Sequence, residues 1–378
     1  MDVKIRQIDV FPVPIPMTGA FAISSGTVAR AGAVAIHVFV RIRADDGTVG
    51  WGECRPIAIW SYETAHTVVT TLRNYIAPAL IGHDPFDISG VHAVMNRTIA
   101  AGTSTGQPIA KSAIDHAIHD LIGRKLGLPL WRLLGGTKRE VDLSYTLTAK
   151  TPAEIGPEVE KARKLGYKHF NFKVAIEPRH DVETAREIRS VIGPEPFLWA
   201  DANGGYDLPT AMRQVREFDR AGVNVLEQPL RPGDLVGLQR LCARSDLPIA
   251  VDEGLVSPRD LIQMIQLKAI DVVVGKTTRS GGLWPSRQIY DIAWAAGLPM
   301  LLSGLTDATC TLLCASALAS AYGVDKPCAL NGPQFLADWT HVGEPVVVRG
   351  RVMLSDRPGH GAVLDEARIE RESAALKL

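Results

Sequence analysis

The stretch IAVDEGLVSPRDLIQMIQLKAIDVVVGK, from Ile249 to Lys276, contains one full strand–helix–strand repeat. Its first apolar run ends at Asp252, and its last apolar run ends at Lys276. Between them, Ser257 and Pro258 are typical of a helix start, as the cap residue and a first-turn proline. Continuous apolar strands that alternate with helices indicate a parallel sheet covered on both faces.

The same unit recurs through most of the chain, because polar residues end successive apolar runs at steps of 28, 26, 25, 24, 27 and 28 residues. These residues are Lys173, Asp201, Glu227, Asp252, Lys276, Ser303 and Asn331. A strand–turn–helix–turn repeat takes roughly 25 residues or more, and eight such units close into a barrel of about 250 residues. Such barrels keep their chemistry at the C-terminal ends of the strands, so the spacing predicts one shared site.

The sequence before these repeats has a different pattern. Residues 1 to about 55 alternate between apolar and polar side chains, with a turn at Asp45-Asp46-Gly47, which is typical of an antiparallel meander. Residues from about 62 to 126 have helical spacing and stop at Gly127. Strands followed by helices indicate a separate α+β unit.

We therefore predict two domains in this chain of 378 residues. Residues 1–128 form an α+β capping domain, and residues 129–349 form an α/β domain, a modified TIM (β/α)7β barrel. A tail from about 350 to 378 is expected to pack back on the first domain.

Composition excludes several classes of function. Lys plus Arg equals Asp plus Glu at 41 each, so the net charge of zero gives no electrostatic case for a nucleic-acid or membrane partner. Charges interrupt the N-terminus, and the apolar stretch from Ala308 to Tyr322 is too short for a membrane span. Five scattered cysteines without a CxxC pair favour a reducing compartment, so we expect a cytoplasmic protein.

Three carboxylates, Asp201, Glu227 and Asp252, end three consecutive predicted strands. Burying three unpaired negative charges together would be prohibitive without a cation, and a hard cation prefers oxygen ligands. The pattern predicts a site for Mg²⁺, with Mn²⁺ as a possible substitute. The alternative is that each acid is solvated and paired with an arginine or lysine.

Two lysines, Lys173 and Lys276, flank this acid series, and Lys276 ends a fully apolar strand. A nearby cation and a second lysine lower the pKa of a lysine towards the working range of a base. Two amines on opposite sides of a substrate carbon can remove and return a proton on either face. The alternative is that each lysine only neutralises a carboxylate.

The motifs around these residues resemble the enolase superfamily, and within it the muconate lactonizing enzyme (muconate cycloisomerase) subgroup of the mandelate racemase/muconate lactonizing enzyme family. The motifs are Lys173, DAN at Asp201–Asn203, EQP at Glu227–Pro229, DEG at Asp252–Gly254, KTTRSGG at Lys276–Gly282 and GWGE at Gly50–Glu53. The resemblance covers nearly the whole chain, and the motifs are specific as a set rather than singly.

The resemblance implies roles for these positions. Asp201, Glu227 and Asp252 would bind Mg²⁺, which would hold a substrate carboxylate and stabilise the enolate formed when the α-proton leaves. Lys173 and Lys276 would be the acid/base pair. Capping loops near residues 18–27 and 53–62 would close over a small-molecule carboxylate, and the protein would form a homo-oligomer.

Further residues are candidates for substrate contacts. At the barrel they are Asn171, Asn203, Glu253, Ser303 and Asn331, and in the capping loop they are Arg55, Trp60 and Tyr62. For the loop residues, ordinary loop packing is the alternative.

The chain departs from the subgroup in two places. The subgroup usually has Lys-x-Lys on the second barrel strand, where this chain has Asn171-Phe172-Lys173, and Ala329 stands where a glutamate is usual. Muconate itself is therefore doubtful as a substrate. The mandelate racemase branch has a catalytic histidine at the end of the seventh strand, where this chain has Ser303, which argues against the acid-sugar dehydratases of that branch.

The reaction is left open between a few outcomes. Isomerisation, as racemisation, epimerisation or cycloisomerisation, is the main prediction, although the lack of Asp-x-Asp at Leu330–Gly332 argues against dipeptide epimerisation. A dehydratase or other lyase would use the same first step before β-elimination. A barrel that binds a carboxylate without turnover is the alternative of a different class.

Overall fold

The computed structural model describes residues 3–102, 105–149, 151–376 and 378. The chain begins with an antiparallel sheet in the order β1-β4-β5 and a separate two-stranded hairpin of β2 and β3. The strands are β1 (Ile5–Pro16), β2 (Phe21–Ile23), β3 (Gly26–Ala29), β4 (Val34–Ala44) and β5 (Val49–Cys54). The predicted turn at Asp45-Asp46-Gly47 joins β4 to β5, which pair antiparallel.

Helices cover one face of this sheet. They are α1 (Ala65–Thr71), a π-helical turn (Leu72–Ile76), α2 (Ala77–Leu80), α3 (Ile88–Thr98) and α4 (Pro108–Leu126). Helix α4 lies directly against β5, because Gly50 and Gly52 leave room for its backbone. A Cβ atom would lie 2.2 Å from the Ala117 carbonyl oxygen at Gly50, and 2.1 Å from the Ala113 carbonyl oxygen at Gly52.

A short connection leads into the second unit, which is a curled parallel sheet of seven strands in chain order. After α5 (Leu130–Leu133) and β6 (Glu140–Asp142), the strands are β7 (Ser144–Leu147), β8 (His169–Lys173), β9 (Leu198–Asp201), β10 (Val225–Glu227), β11 (Ile249–Val251), β12 (Val272–Gly275) and β13 (Met300–Leu302). Parallel bridges from Leu143 to Cys328 and from Ser303 to Ala329 join both edges of the sheet. An eighth segment therefore closes the predicted (β/α)7β barrel.

Helices follow the barrel strands in alternation. They are α6 (Pro152–Lys164), α7 (Asp181–Ile192), α8 (Leu208–Arg220), α9 (Leu235–Cys242), α10 (Pro258–Leu267), α11 (Thr277–Ser280), α12 (Leu283–Ala295), α13 (Thr309–Ala321) and α14 (Gly332–Phe335). Ser257 caps α10 as predicted, since its side chain accepts a hydrogen bond from the Asp260 amide. Among the described residues, no helix is both long and apolar enough to cross a membrane.

The chain ends with β14 (Val347–Val348), β15 (Arg351–Met353) and α15 (Glu366–Ala375). Helix α15 lies against the first sheet, where Glu370 accepts a hydrogen bond from Arg41 at 2.6 Å. Glu366 accepts another from the Trp51 indole at 3.3 Å.

The two units are joined at the N-terminus of α12. Asp115 on α4 accepts hydrogen bonds from the Leu283 amide at 2.5 Å and the Trp284 amide at 3.2 Å. Gly282 allows this approach, because a Cβ atom there would lie 2.2 Å from the Asp115 carboxyl carbon. The capping unit is thereby held at a fixed position on the barrel.

The barrel interior below its mouth is mostly apolar. The residues that fill it are Trp199, Val225, Ala250, Val272, Val274, Leu301 and Ala329. Side chains alternate along each strand, so the residues that end the strands form a separate layer above this floor. The register pairs Lys173 with Asp201 and, one layer lower, Asn171 with Trp199.

Candidate active site

The polar strand ends come together at the barrel mouth. Lys173 Nζ donates a hydrogen bond to Asp201 Oδ2, and Lys276 Nζ donates one to Asp252 Oδ2. The side chains of Lys173 and Lys276 are 10% and 2% exposed. The two amines thus lie at opposite ends of the acid series, each bound to one of its aspartates.

Glu227 lies between these two ion pairs. It is buried, and its Oε1 atom has no hydrogen-bond partner. Burial, together with the negative charges of Asp201 and Asp252, raises the pKa of Glu227 well above its ordinary value. An unpaired buried oxygen between two further carboxylates is the electrostatic environment that a bound cation would relieve.

The donor set fits a hard divalent cation, because all its donor atoms are carboxylate oxygens. Within the described residues, no group of three His, Cys, Asp or Glu side chains already surrounds a common point at metal-binding distances. Asp201 and Asp252 are instead each paired with a lysine.

The charges at the two ends of the acid series partly compensate one another. Burial opposes the charged form of Lys173, but Asp201 and Glu227 outweigh it and raise the pKa of this lysine. Burial likewise opposes the charged form of Asp252, but Arg279 and Lys276 outweigh it and lower the pKa of this carboxyl. The protein groups therefore favour the charged form of Lys173, and the prediction of lowered lysine pKa values stays a prediction about the cation-bound state.

Trp60 brings the capping unit into the site. Its ring centroid lies 4.5 Å from Lys276 Nζ, 5.4 Å from Lys173 Nζ and 5.9 Å from the Arg279 guanidinium carbon. These distances are in the range of cation–π interactions. The indole thus lies beside both amines at once and shields them from water.

Two other predicted substrate-binding residues meet Trp60. Glu253 Oε1 accepts hydrogen bonds from the Trp60 indole nitrogen at 2.8 Å and from Asn203 Nδ2 at 2.7 Å. Asn203 has a left-handed backbone (φ +43°), which asparagine tolerates better than most residues. The structure therefore brings these three candidates to one point at the barrel mouth.

The remaining barrel candidates lie at other strands of the barrel. Asn171 is buried one layer below Lys173, and its Oδ1 lies 3.4 Å from Ser144 Oγ. Ser303 and Asn331 are buried at the ends of later strands. Ser303 Oγ donates to the Ala329 carbonyl at 3.4 Å, and Asn331 Oδ1 has no hydrogen-bond partner.

The two other loop candidates are placed differently. Arg55 is buried and donates to the carbonyl oxygens of Leu305 and Thr306, each at 3.3 Å, which fits the loop-packing alternative. Burial lowers the pKa of Arg55 to about 10, although Asp307 and Glu53 oppose this change. Tyr62 is 60% exposed.

Arg279 is a further residue of the site that the pattern of strand-end residues does not predict. Its Nη1 atom lies 2.9 Å from Asp252 Oδ1, so Asp252 binds two cationic side chains. The signal was present in the KTTRSGG motif, because Arg279 follows Lys276 by three residues at the start of the short helix α11. Residues three apart on a helical turn lie on the same side.

Comparison with known proteins identifies the family. The model of the mandelate racemase / muconate lactonizing enzyme N-terminal domain matches residues 5–135. The model of the enolase C-terminal domain-like family matches residues 154–368, more than half of the chain. The chain belongs to the mandelate racemase/muconate lactonizing enzyme family of the enolase superfamily.

Several relatives of this chain are isomerases. An L-Ala-D/L-Glu epimerase of Clostridium acetobutylicum is 29% identical over 86% of this chain and 90% of its own length. A chloromuconate cycloisomerase of Cupriavidus necator is 30% identical over 98% of this chain and 100% of its own length. The structure of a dipeptide epimerase from Cytophaga hutchinsonii, complexed with Mg and the dipeptide D-Ala-L-Val, has a TM-score of 0.89 and 25% identity. The structural match covers 97% of this chain and 98% of the epimerase chain. The chain is therefore an enzyme of the isomerase type found in this family.

Proposed function

We propose that this enzyme removes the proton α to a substrate carboxylate in a Mg²⁺-dependent reaction, passes through an enolate, and returns a proton to give an isomer. The observation that carries the proposal is the position of Lys173 and Lys276. Both amines lie next to the same indole ring, at 5.4 and 4.5 Å from its centroid, and at opposite ends of one acid series. They can therefore approach one substrate carbon from two sides.

Asp201, Glu227 and Asp252 would hold the Mg²⁺ ion. The support comes from Glu227, whose buried Oε1 atom has no partner among the protein groups. When bound, the ion would supply positive charge to the substrate carboxylate and to the negative charge that develops on it.

The two lysines would transfer the protons. One lysine, in its neutral form, accepts the α-proton on one face of the substrate carbon. The other lysine, in its ammonium form, donates a proton to the opposite face, so the configuration inverts and the total number of protons is unchanged. Trp60 would exclude water during this exchange, because its ring covers both amines.

We favour racemisation or epimerisation at one carbon, since two buried amines are present at one mouth. Cycloisomerisation is the second candidate, and its support is the 30% identity to a chloromuconate cycloisomerase over 98% of the chain. β-Elimination would begin with the same proton removal and differ only in the fate of the enolate.

An NMR assay in D₂O tests the proposal. The protein is incubated with Mg²⁺ and a library of N-acyl amino acids, dipeptides, hydroxy acids and muconates, and the α-hydrogen signals are followed. Loss of the α-hydrogen signal with an unchanged skeleton supports racemisation or epimerisation, and a lactone from a muconate supports cycloisomerisation. A new alkene supports elimination.

The control is the same incubation after Mg²⁺ is removed with EDTA, where no exchange is expected. No exchange anywhere in a broad library, with Mg²⁺ present, would overturn the proposal and favour a barrel that only binds carboxylates.

A further inference from the structure

The turn that carries Trp60 is short and lies at the surface of the capping unit. The amides of Trp60 and Ser61 both donate to the Ile57 carbonyl, at 2.9 and 2.8 Å. Ile59 at the centre of this turn is 43% exposed, whereas the Trp60 indole points into the barrel mouth. Ile57 fixes the start of the turn in the core of the capping unit, and the Trp60 end needs its own attachment to the barrel.

The hydrogen bonds at Glu253 supply that attachment. One carboxylate oxygen, Oε1, accepts from both the Trp60 indole and the Asn203 amide group, at 2.8 and 2.7 Å. Asn203 is itself fixed to the acid series, since its backbone amide donates to Asp201 Oδ1 at 2.9 Å. Glu253 directly follows Asp252, so the attachment is built on the same strand ends as the site.

The hairpin of β2 and β3 is tied to the same point. Ser24 Oγ donates to the Asn203 carbonyl at 2.8 Å, and Ser25 Oγ donates to the Ile59 carbonyl at 3.2 Å. Both capping loops therefore converge on Asn203 and Glu253 at the barrel mouth.

We propose that Glu253 is a positioning residue: its carboxylate latches the turn of residues 57–61 onto the barrel through the Trp60 indole, and thereby holds the ring over Lys173 and Lys276. The inference rests on the proposed function only for its kinetic consequence. The latch itself is a property of the protein that can be measured without a substrate.

Four variants isolate the latch. Trp60→Phe keeps an aromatic ring but removes the indole N–H, and Glu253→Ala removes the acceptor. Glu253→Gln removes the negative charge but keeps an acceptor oxygen for both donors. Ile59→Ala is the matched control, because it changes an exposed side chain of the same turn.

Hydrogen–deuterium exchange with mass spectrometry, on the full chain without substrate, gives the main readout. We expect the peptide that contains Trp60 and Ser61 to exchange at least about tenfold faster in Trp60→Phe and Glu253→Ala. Glu253→Gln and Ile59→Ala should exchange like the wild type. A core peptide spanning β12 reports global stability in the same experiment, and Trp60→Phe carries the test if Glu253→Ala does not fold.

Two results would overturn the latch. One is wild-type exchange in both Trp60→Phe and Glu253→Ala. The other is equally fast exchange in Glu253→Gln and Glu253→Ala, which would assign the effect to charge rather than to the hydrogen bond. If the D₂O assay identifies a substrate, Trp60→Phe should raise KM more than it lowers kcat. If the assay finds none, the proposed function fails while the exchange measurement still decides the latch.

Discussion

The two ends of the candidate active site each contain a lysine–aspartate ion pair, but the surroundings of the two pairs differ. At one end, Asp252 binds both Lys276 and Arg279, and the lysine side chain is 2% exposed. At the other end, Asp201 binds Lys173, whose side chain is 10% exposed, above the neutral amide of Asn171. We infer that the two amines differ in local charge and in freedom of movement, although the proposed reaction uses each in turn as base and acid.

The largest expected effect comes from removing either amine. Lys173→Ala and Lys276→Ala should each lower the interconversion of enantiomers by about 10²–10⁴-fold, the usual contribution of a general acid or base. Each variant should still exchange the α-proton of the one enantiomer that faces its remaining lysine. NMR in D₂O with enantiopure substrates measures this one-sided exchange.

The matched control is Lys326→Ala, which removes an exposed lysine that pairs with Asp325 at the surface. Its activity should equal that of the wild type. Full activity in both active-site variants would refute the assignment of the two bases.

Glu227 lies between the two lysine ends, so its substitution should slow both directions of the isomerisation equally. Mg²⁺ at 100 times its Kd would stabilise the wild type by about 2.7 kcal/mol through binding linkage. Glu227→Gln should lose most of the Mg²⁺-dependent rise in Tm and should slow both enantiomers to the same extent, because it removes one proposed metal ligand. Thermal unfolding at increasing MgCl₂ concentrations measures the first effect.

Asp234→Asn serves as the control for Glu227→Gln, because Asp234 is an exposed carboxylate that caps α9 and is not one of the proposed metal ligands. Its Tm should rise with Mg²⁺ as in the wild type. An undiminished Mg²⁺-dependent rise in Glu227→Gln would remove this glutamate from the metal site.

The strand-end residues of the site could be predicted from the sequence, because a repeat of nearly constant length fixes where each strand stops. Lys173, Asp201 and Glu227 are paired in register in the barrel, as that spacing requires. The closure of the barrel follows from the same repeat, although the eighth segment pairs only through isolated bridges at Cys328 and Ala329.

The contacts between the capping unit and the barrel could not be predicted in the same way. The hydrogen bond between Trp60 and Glu253 joins residues 193 positions apart. Its existence depends on how the capping unit and the barrel pack against each other, which no local periodicity encodes. Arg279 is an intermediate case. The sequence shows that it follows Lys276 by three residues, but the sequence does not show that it pairs with Asp252.

A substitution at Arg279 would make the Lys276 end of the site more similar to the Lys173 end. Arg279→Lys keeps a positive charge but loses the planar fork that holds Asp252 Oδ1 at 2.9 Å. We expect a fall of about tenfold or less in exchange for the enantiomer that uses Lys276 as base, estimated as about one hydrogen bond to a charged group. The enantiomer that uses Lys173 should change less, and equal losses for both would show that Arg279 supports the site as a whole.

The last expected effect is a change in pH dependence rather than in maximal rate, produced by Asn171→Lys. Asn171 lies one layer below Lys173 on the same face of the barrel, so a new ammonium there would disfavour the protonated form of Lys173 and lower its pKa. A base works when deprotonated, so the acidic limb of the pH profile of kcat/KM should move to lower pH. At a separation of about 7 Å and an effective dielectric constant of about 20, the move would be roughly one to two pH units.

Only the reaction direction in which Lys173 is the base should show this shift of the acidic limb, because Lys276 lies at the other end of the acid series. Asn171→Met is the control, since it fills similar space without charge and should leave the limb in place. Circular dichroism and Tm of both variants establish that the barrel tolerates the change at this buried position. An equal shift of the acidic limb in both directions of the isomerisation would mean that the two amines titrate as one coupled system through the shared carboxylates. The two ends would then differ in structure but not in their acid–base chemistry.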